Sequence, residues 1–113
     1  VKNRDGTFVN ADFDSVTAAA AGAMDDIPPD LRYSITDAKG KGSYPISGTV
    51  WALAFRDQQP AKGRALGEFF WWATHDGQNV LKDLQYAPLP PELVREVEKK
   101  IVRIDGAARV GLR

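Results

Sequence analysis

Residues 43–55 read SYPISGTVWALAF, the stretch that most restricts what this chain can fold into. Pro45 pushes Tyr44 into extended geometry, because the proline ring clashes with a helical predecessor. Val50, Trp51, Leu53 and Phe55, with Ala52 and Ala54 among them, then form an apolar run closed by Arg56 and Asp57. Its β-branched and aromatic side chains favour a strand. Successive strand residues point to opposite faces, so a run that is apolar at nearly every position is expected to be buried on both. Ser47, Gly48 and Thr49 stand at its head, offering two hydroxyls and several backbone N–H groups to an anion. An anion nest works best where a loop opens a helix and the dipole converges with the N–H groups. Here the tripeptide leads into a β-rich run, so it reads as the small-residue start of a strand.

The rest of the chain supplies mainly helices. The 113 residues suit about one domain. Asp5-Gly6 marks a turn, and residues 10–24 then read as a helix. Asp12 or Asp14 is its candidate N-cap, Ala18 to Ala21 have the highest helix propensity, and Gly22 with Asp25 and Asp26 marks its end. Leu31, Tyr33 and Ile35 alternate with Arg32, Ser34 and Thr36, the pattern of a half-buried strand. Residues 37–43 form a glycine-rich loop whose Lys39 and Lys41 read as solvated charges. A second helix is expected within 58–78, with Pro60 in its first turn. Leu66, Phe69, Phe70 and Ala73 share one stripe that Trp72 extends, and Trp71 points about 100° away. Val80, Leu81 and Leu84 continue a short helix that residues 86–91 break. Pro91 opens a final amphipathic helix with Val94, Val97, Ile101 and Ile104 as its buried stripe. Residues 105–113 are expected to fray.

Composition excludes several kinds of chemistry. Fifteen basic and fifteen acidic side chains cancel, giving no basic footprint for nucleic acid or an anionic membrane. Without cysteine there is no disulfide, thiolate metal site or cysteine nucleophile. No apolar run approaches the ~20 residues that span a bilayer. His75 is the only histidine and lies beside Asp76, a sequence neighbour it does not face on a helix. It reads as a surface or helix-end residue. Asp25 with Asp26, and Glu92, Glu96 and Glu98, read as capping or solvated carboxylates rather than an acid–base pair. Phe69, Phe70, Trp71 and Trp72 lack the interleaved basic residues of a base-stacking platform and read as packing, with Trp71 left as a residue that could dock a partner. The expected assignment is no enzyme, no catalytic or metal-binding residue and no cofactor.

Three ordered pieces carry a family resemblance: NRDGTFVNADFDSVTAAAAGA from Asn3, DLRYSITDAKGKGSYPISGTVWALAFRDQ from Asp30, and KGRALGEFFWWATHDGQNVLKDLQYAPLPPELVREVEKKI from Lys62. From Asn3 to Ile104 the resemblance covers about nine-tenths of the chain. It resembles the C-terminal part of the phosphate-binding protein of bacterial high-affinity phosphate ABC importers, a type II periplasmic binding protein. The resemblance implies an α/β, two-lobed fold that closes on inorganic phosphate and delivers it to a membrane permease, in the periplasm or outside the cell. Residues 1–43 would finish the second lobe, 44–57 would cross the hinge as a strand, and 58–113 would give C-terminal helices packed on the first lobe. The family's phosphate-gripping Ser-Gly-Thr lies in an Arg- and Asp-bearing segment upstream of the residues present here. No phosphate-binding residue is therefore carried over, and the remainder of the binding protein is an expected partner. The missing initiator Met agrees with a portion of something longer. A different reading treats the chain as a self-standing, non-enzymatic interaction module built from the same half-fold, dimeric in its simplest form.

Overall fold

The computed structural model describes residues 1–111. Its regular structure is helical: α1 (Phe13–Gly22), α2 (Pro60–Thr74) and α3 (Pro91–Ile101), with short 3-10 helices at Met24–Asp26 and Asp76–Val80. The ends of these helices follow local chemistry. Asp12 accepts a hydrogen bond from the Ser15 N–H at 2.8 Å, and Ser15 Oγ accepts one from the Asp12 N–H at 3.1 Å. This reciprocal capping box satisfies two N–H groups that have no partner inside the helix. Pro60 and Pro91 occupy first-turn positions of α2 and α3, where a missing N–H costs nothing. Glu92 opens α3, and Lys99 and Lys100 close it, each charge matching the helix dipole.

Two small cores form. The first joins Ala19, Ala20 and Ala23 to Ile35 and Ala38, with Tyr33 packed against it. The methyl-sized face of α1 thus lies close to the extended segment that follows. In that segment Ile35 is buried and Tyr33 half-buried, while Arg32, Ser34 and Thr36 are exposed. The alternation expected of a half-buried strand is present, but no β-ladder accompanies it. The N-terminus closes over this core as a hairpin stub: Lys2 and Phe8 form an antiparallel bridge, and Gly6 turns the chain at φ +82°. Asn3, almost fully buried, reaches across to the glycine-rich loop. Its amide donates toward the carbonyls of Gly40, Lys41 and Ser43 at 3.1, 3.0 and 3.2 Å.

The second core departs from expectation. It joins Ile101, Ala107 and Val110, with Phe70, Trp71, Val97 and Ile104 packed against it. Residues 105–111 do not fray: Ala107 is 0% and Val110 8% exposed, while 112 and 113 lie outside the described residues. The expected apolar stripe of α2 is also corrected. Gly63, Gly67, Phe70 and Trp71 face this core, while Phe69 and Trp72 stand largely in solvent. The two glycines are the physical reason. A Cβ on Gly63 would meet the Asp105 carbonyl, and one on Gly67 would lie 2.6 Å from Ala107 Cβ. Only a surface without side chains lets the C-terminal backbone come so close, and Trp71, one turn on, then packs beside it.

The largest correction concerns residues 44–57. Among the described residues no β-strand forms, so the sheet expected of an α/β chain is not present within these residues. Residues 49–55 carry no regular structure, and residues 50–55 are all exposed rather than buried on two faces. A strand is completed by a neighbour that takes its N–H and C=O groups, and this chain provides none at that place. The molecule is correspondingly elongated, 49 × 29 × 20 Å along its principal axes.

Candidate interaction surface

The Ser-Gly-Thr tripeptide is engaged internally. Ser47, nearly buried, donates its hydroxyl to the Tyr44 carbonyl at 2.8 Å, and its own carbonyl accepts from Thr36 Oγ1 at 3.0 Å. The backbone beside it is tied by the Asp37 N–H to the Pro45 carbonyl at 2.8 Å. No helix begins there, so no helix dipole converges on it. Thr49 lies beside Tyr33. Burial pushes the Tyr33 phenol above its ordinary value, and the Thr49 side chain partly offsets this. The phenol oxygen is covered yet makes no hydrogen bond of acceptable geometry.

Beyond this anchorage the chain carries its apolar side chains outward. Val50 is 78%, Leu53 94% and Phe55 85% exposed. Trp51 is half-covered: its indole N–H donates to the Leu31 carbonyl at 3.1 Å, and its ring meets Tyr33 edge-on at 6.2 Å. At the far end the Arg56 carbonyl accepts from the Asp105 N–H at 3.0 Å, and the Phe55 carbonyl from Gln58 Nε2 at 3.0 Å. The segment is therefore fixed at both ends, to the first core at its start and to the second core's tail at its finish. Beneath its first half lies an open groove of about 720 Å³, lined by Val16 of α1, Tyr33, Thr49, Val50, Tyr86 and Leu93 among others. Single exposed apolar residues are ordinary, but a contiguous row of large ones marks a contact surface, for a protein, a membrane or a ligand.

The charged and aromatic residues singled out in the sequence lie elsewhere. His75 caps the C-terminus of α2 and stacks on Trp71, with ring centroids 4.2 Å apart and planes within 9°. Its Nδ1 is 2.7 Å from the Trp71 carbonyl, and its Nε2 is 2.8 Å from Glu98 Oε1 on α3. It joins two helices, a role the sequence reading missed because Glu98 lies 23 residues away. Glu96 pairs with Lys99 along one face of α3. Lys39 pairs with Asp26 at 3.4 Å, with both side chains exposed. Trp71 is packed inside rather than free to dock, while Phe69 and Trp72 stack on each other at 6.2 Å on the outer face of α2. Among the described residues no three His, Cys, Asp or Glu side chains gather as a metal site, and no helix is long and apolar enough to cross a membrane. What the surface can do chemically is pair backbone with backbone and bury apolar side chains.

Comparison with known proteins places this surface in context. The chain is 35% identical over 99 residues to the phosphate-binding protein PstS of Xylella fastidiosa strain Temecula1, covering 87% of this chain and 27% of that protein. It is 28% identical over 99 residues to PstS of Pasteurella multocida, covering 87% and 29%. For PstS of Haemophilus influenzae the identity is 27% over 101 residues, covering 88% and 30%. No family model matches the chain. The resemblance to phosphate-binding proteins thus extends along most of the chain, which spans less than a third of the length of these curated relatives.

Proposed function

We propose that this chain, similar through most of its length to phosphate-binding proteins, is the C-terminal portion of an extracytoplasmic protein that captures inorganic phosphate and delivers it to an ABC transporter permease. The observation that carries the reading is the sequence similarity to proteins named for phosphate binding, across 87% of the chain. The uncovered apolar segment supports it physically, since a self-sufficient domain would have buried those side chains. In this reading the protein has two lobes. Residues 1–43 finish the second lobe, 44–57 cross the hinge, and 58–113 pack helices on the first lobe. The donors that grip phosphate lie in the rest of the polypeptide, and the present residues supply hinge and packing surface.

The mechanism that follows is binding without chemistry. Neutral donors, helix N-termini and an arginine hold the anion inside the closed cleft. A buried carboxylate acceptor demands a proton on the ligand, so a fully ionised oxyanion such as sulfate leaves it unpaired and is rejected. Closure about the hinge completes the donor shell, and opening releases the anion to the permease. Isothermal titration of the complete protein tests this reading. Saturable phosphate binding, micromolar or tighter, without competition from sulfate, is the expected result. Binding of sulfate or an organic ligand in place of phosphate would reject it.

A further inference from the structure

Four features of His75 favour one charge state of its ring. It caps the C-terminus of α2, whose last turn holds no basic side chain, so a positive ring meets the negative end of the helix dipole there. The ring lies flat on the Trp71 indole, with centroids 4.2 Å and planes 9° apart, and a cation over an indole face is attracted by the ring quadrupole. Nδ1 is 2.7 Å from the Trp71 carbonyl oxygen, a group that only accepts, so Nδ1 carries a proton. Thr74 Oγ1, 3.1 Å from the same nitrogen, donates its hydroxyl to the Phe70 carbonyl at 2.9 Å and leaves a second acceptor facing Nδ1. Nε2 is 2.8 Å from Glu98 Oε1. Two bare lone pairs repel at that separation, so a proton lies between these atoms too, shared by the pair. A neutral imidazole beside an ionised Glu98 has one N–H for the two contacts.

The Nε2 contact is the one that reaches α3, and α2 and α3 both line the second core. The indole beneath His75 also packs on the backbone at Gly111. The His75 and Glu98 side chains are 28% and 34% exposed, so water and salt screen the pair only in part. Among the described residues no other charged group makes a hydrogen bond or ion pair with the ring. Asp76 and, on α3, Arg95 are exposed, Lys99 pairs with Glu96, and Arg109 of the C-terminal segment lines a recess with Arg64 and Glu68. We propose that His75 is a proton-operated clasp: with both ring nitrogens protonated it fastens the end of α2 to α3, and on losing a proton it releases α3 and loosens the second core. By linkage, the folded chain holds a proton for which the unfolded chain offers no partner. The stabilisation is therefore present on the acid side of the ordinary histidine range and lost as pH rises through and above it. The clasp goes beyond the phosphate reading and does not depend on it.

A double-mutant cycle on the 113-residue chain tests the clasp. His75→Phe keeps a ring on Trp71, and Glu98→Gln keeps the length of the side chain. Urea melts are compared at about pH 5.5 and about pH 8.5, on either side of the ordinary histidine range. At the acid value the coupling between the two positions should favour folding by about fivefold, and at the alkaline value it should vanish. Equal coupling at both values, or stronger coupling at the alkaline one, would overturn the proposal. Glu98→Gln alone should also flatten the loss of stability between the two, because the Gln amide can donate to a bare Nε2. Ring-proton NMR of the unsubstituted chain covers a variant that fails to fold, and His75, the only histidine, needs no assignment. Two ring N–H protons in slow exchange with water are expected at the acid value, with one lost at the alkaline value. Fewer than two at the acid value would show that the ring does not bridge the helices and would overturn the proposal as well. Neither readout involves phosphate, so its outcome is separate from that of the titration.

Discussion

Tyr33 is held by competing demands. Its ring packs on the alanine face of α1 and against Trp51, yet its hydroxyl is covered without a hydrogen bond. Desolvation raises its ionisation above the ordinary value of 10.0. The sign of the consequence is fixed by linkage. Below about pH 10 both folded and unfolded chains keep the phenolic proton, and the burial contributes in full. Above it the unfolded chain releases the proton first, and stability falls until the folded phenol also ionises. Tyr33→Phe removes the unpaired hydroxyl while keeping the ring. In the 113-residue chain it should hold or raise stability by about 1 kcal/mol at neutral pH and flatten the alkaline loss, read from urea midpoints at neutral and alkaline pH. A loss of stability of similar size at neutral pH would show that the hydroxyl is bonded. Asn3 is the opposite case, a buried amide whose reach to three loop carbonyls holds the hairpin stub on the first core.

At the level of elements, α2 and the C-terminal segment pack closely through Gly63 and Gly67. Gly67→Ala gains about 1 kcal/mol of intrinsic helix propensity but drives a methyl group against Ala107 and Val110. Overpacking of that kind costs about 1–3 kcal/mol. Net destabilisation of the 113-residue chain is expected in a urea melt, and a stabilised variant would show that the segment sits less closely on α2. Helix ends were legible in the sequence because their causes are local: Asp12 with Ser15, Pro60 and Pro91 lie within a turn of the ends they set. Which face of α2 is buried was not legible, since periodicity favours the large apolar stripe and the neighbour chose Gly63 and Gly67 instead. Two glycines four residues apart were the available signal. The Asn3 and His75 contacts span 37 to 40 and 23 residues and leave no local trace. The apolar run of the candidate surface was plain in the sequence, but its exposure was not, because burial on two faces needs neighbours that the described residues do not place there.

As a whole molecule the chain is more open than its size requires. It exposes 7755 Å², where a folded monomer of this mass exposes about 6,100 Å². Its radius of gyration is 15.4 Å, against about 13 Å for a compact domain of this length. Two small cores are joined by a segment, residues 50–55, whose side chains are exposed. The most direct measurement is phosphate titration of the 113-residue chain beside the complete protein. The account expects saturable binding by the complete protein and no tight site on the shorter chain. Micromolar phosphate binding by residues 1–113 alone, weakened by substitutions at Ser47 and Thr49, would contradict it.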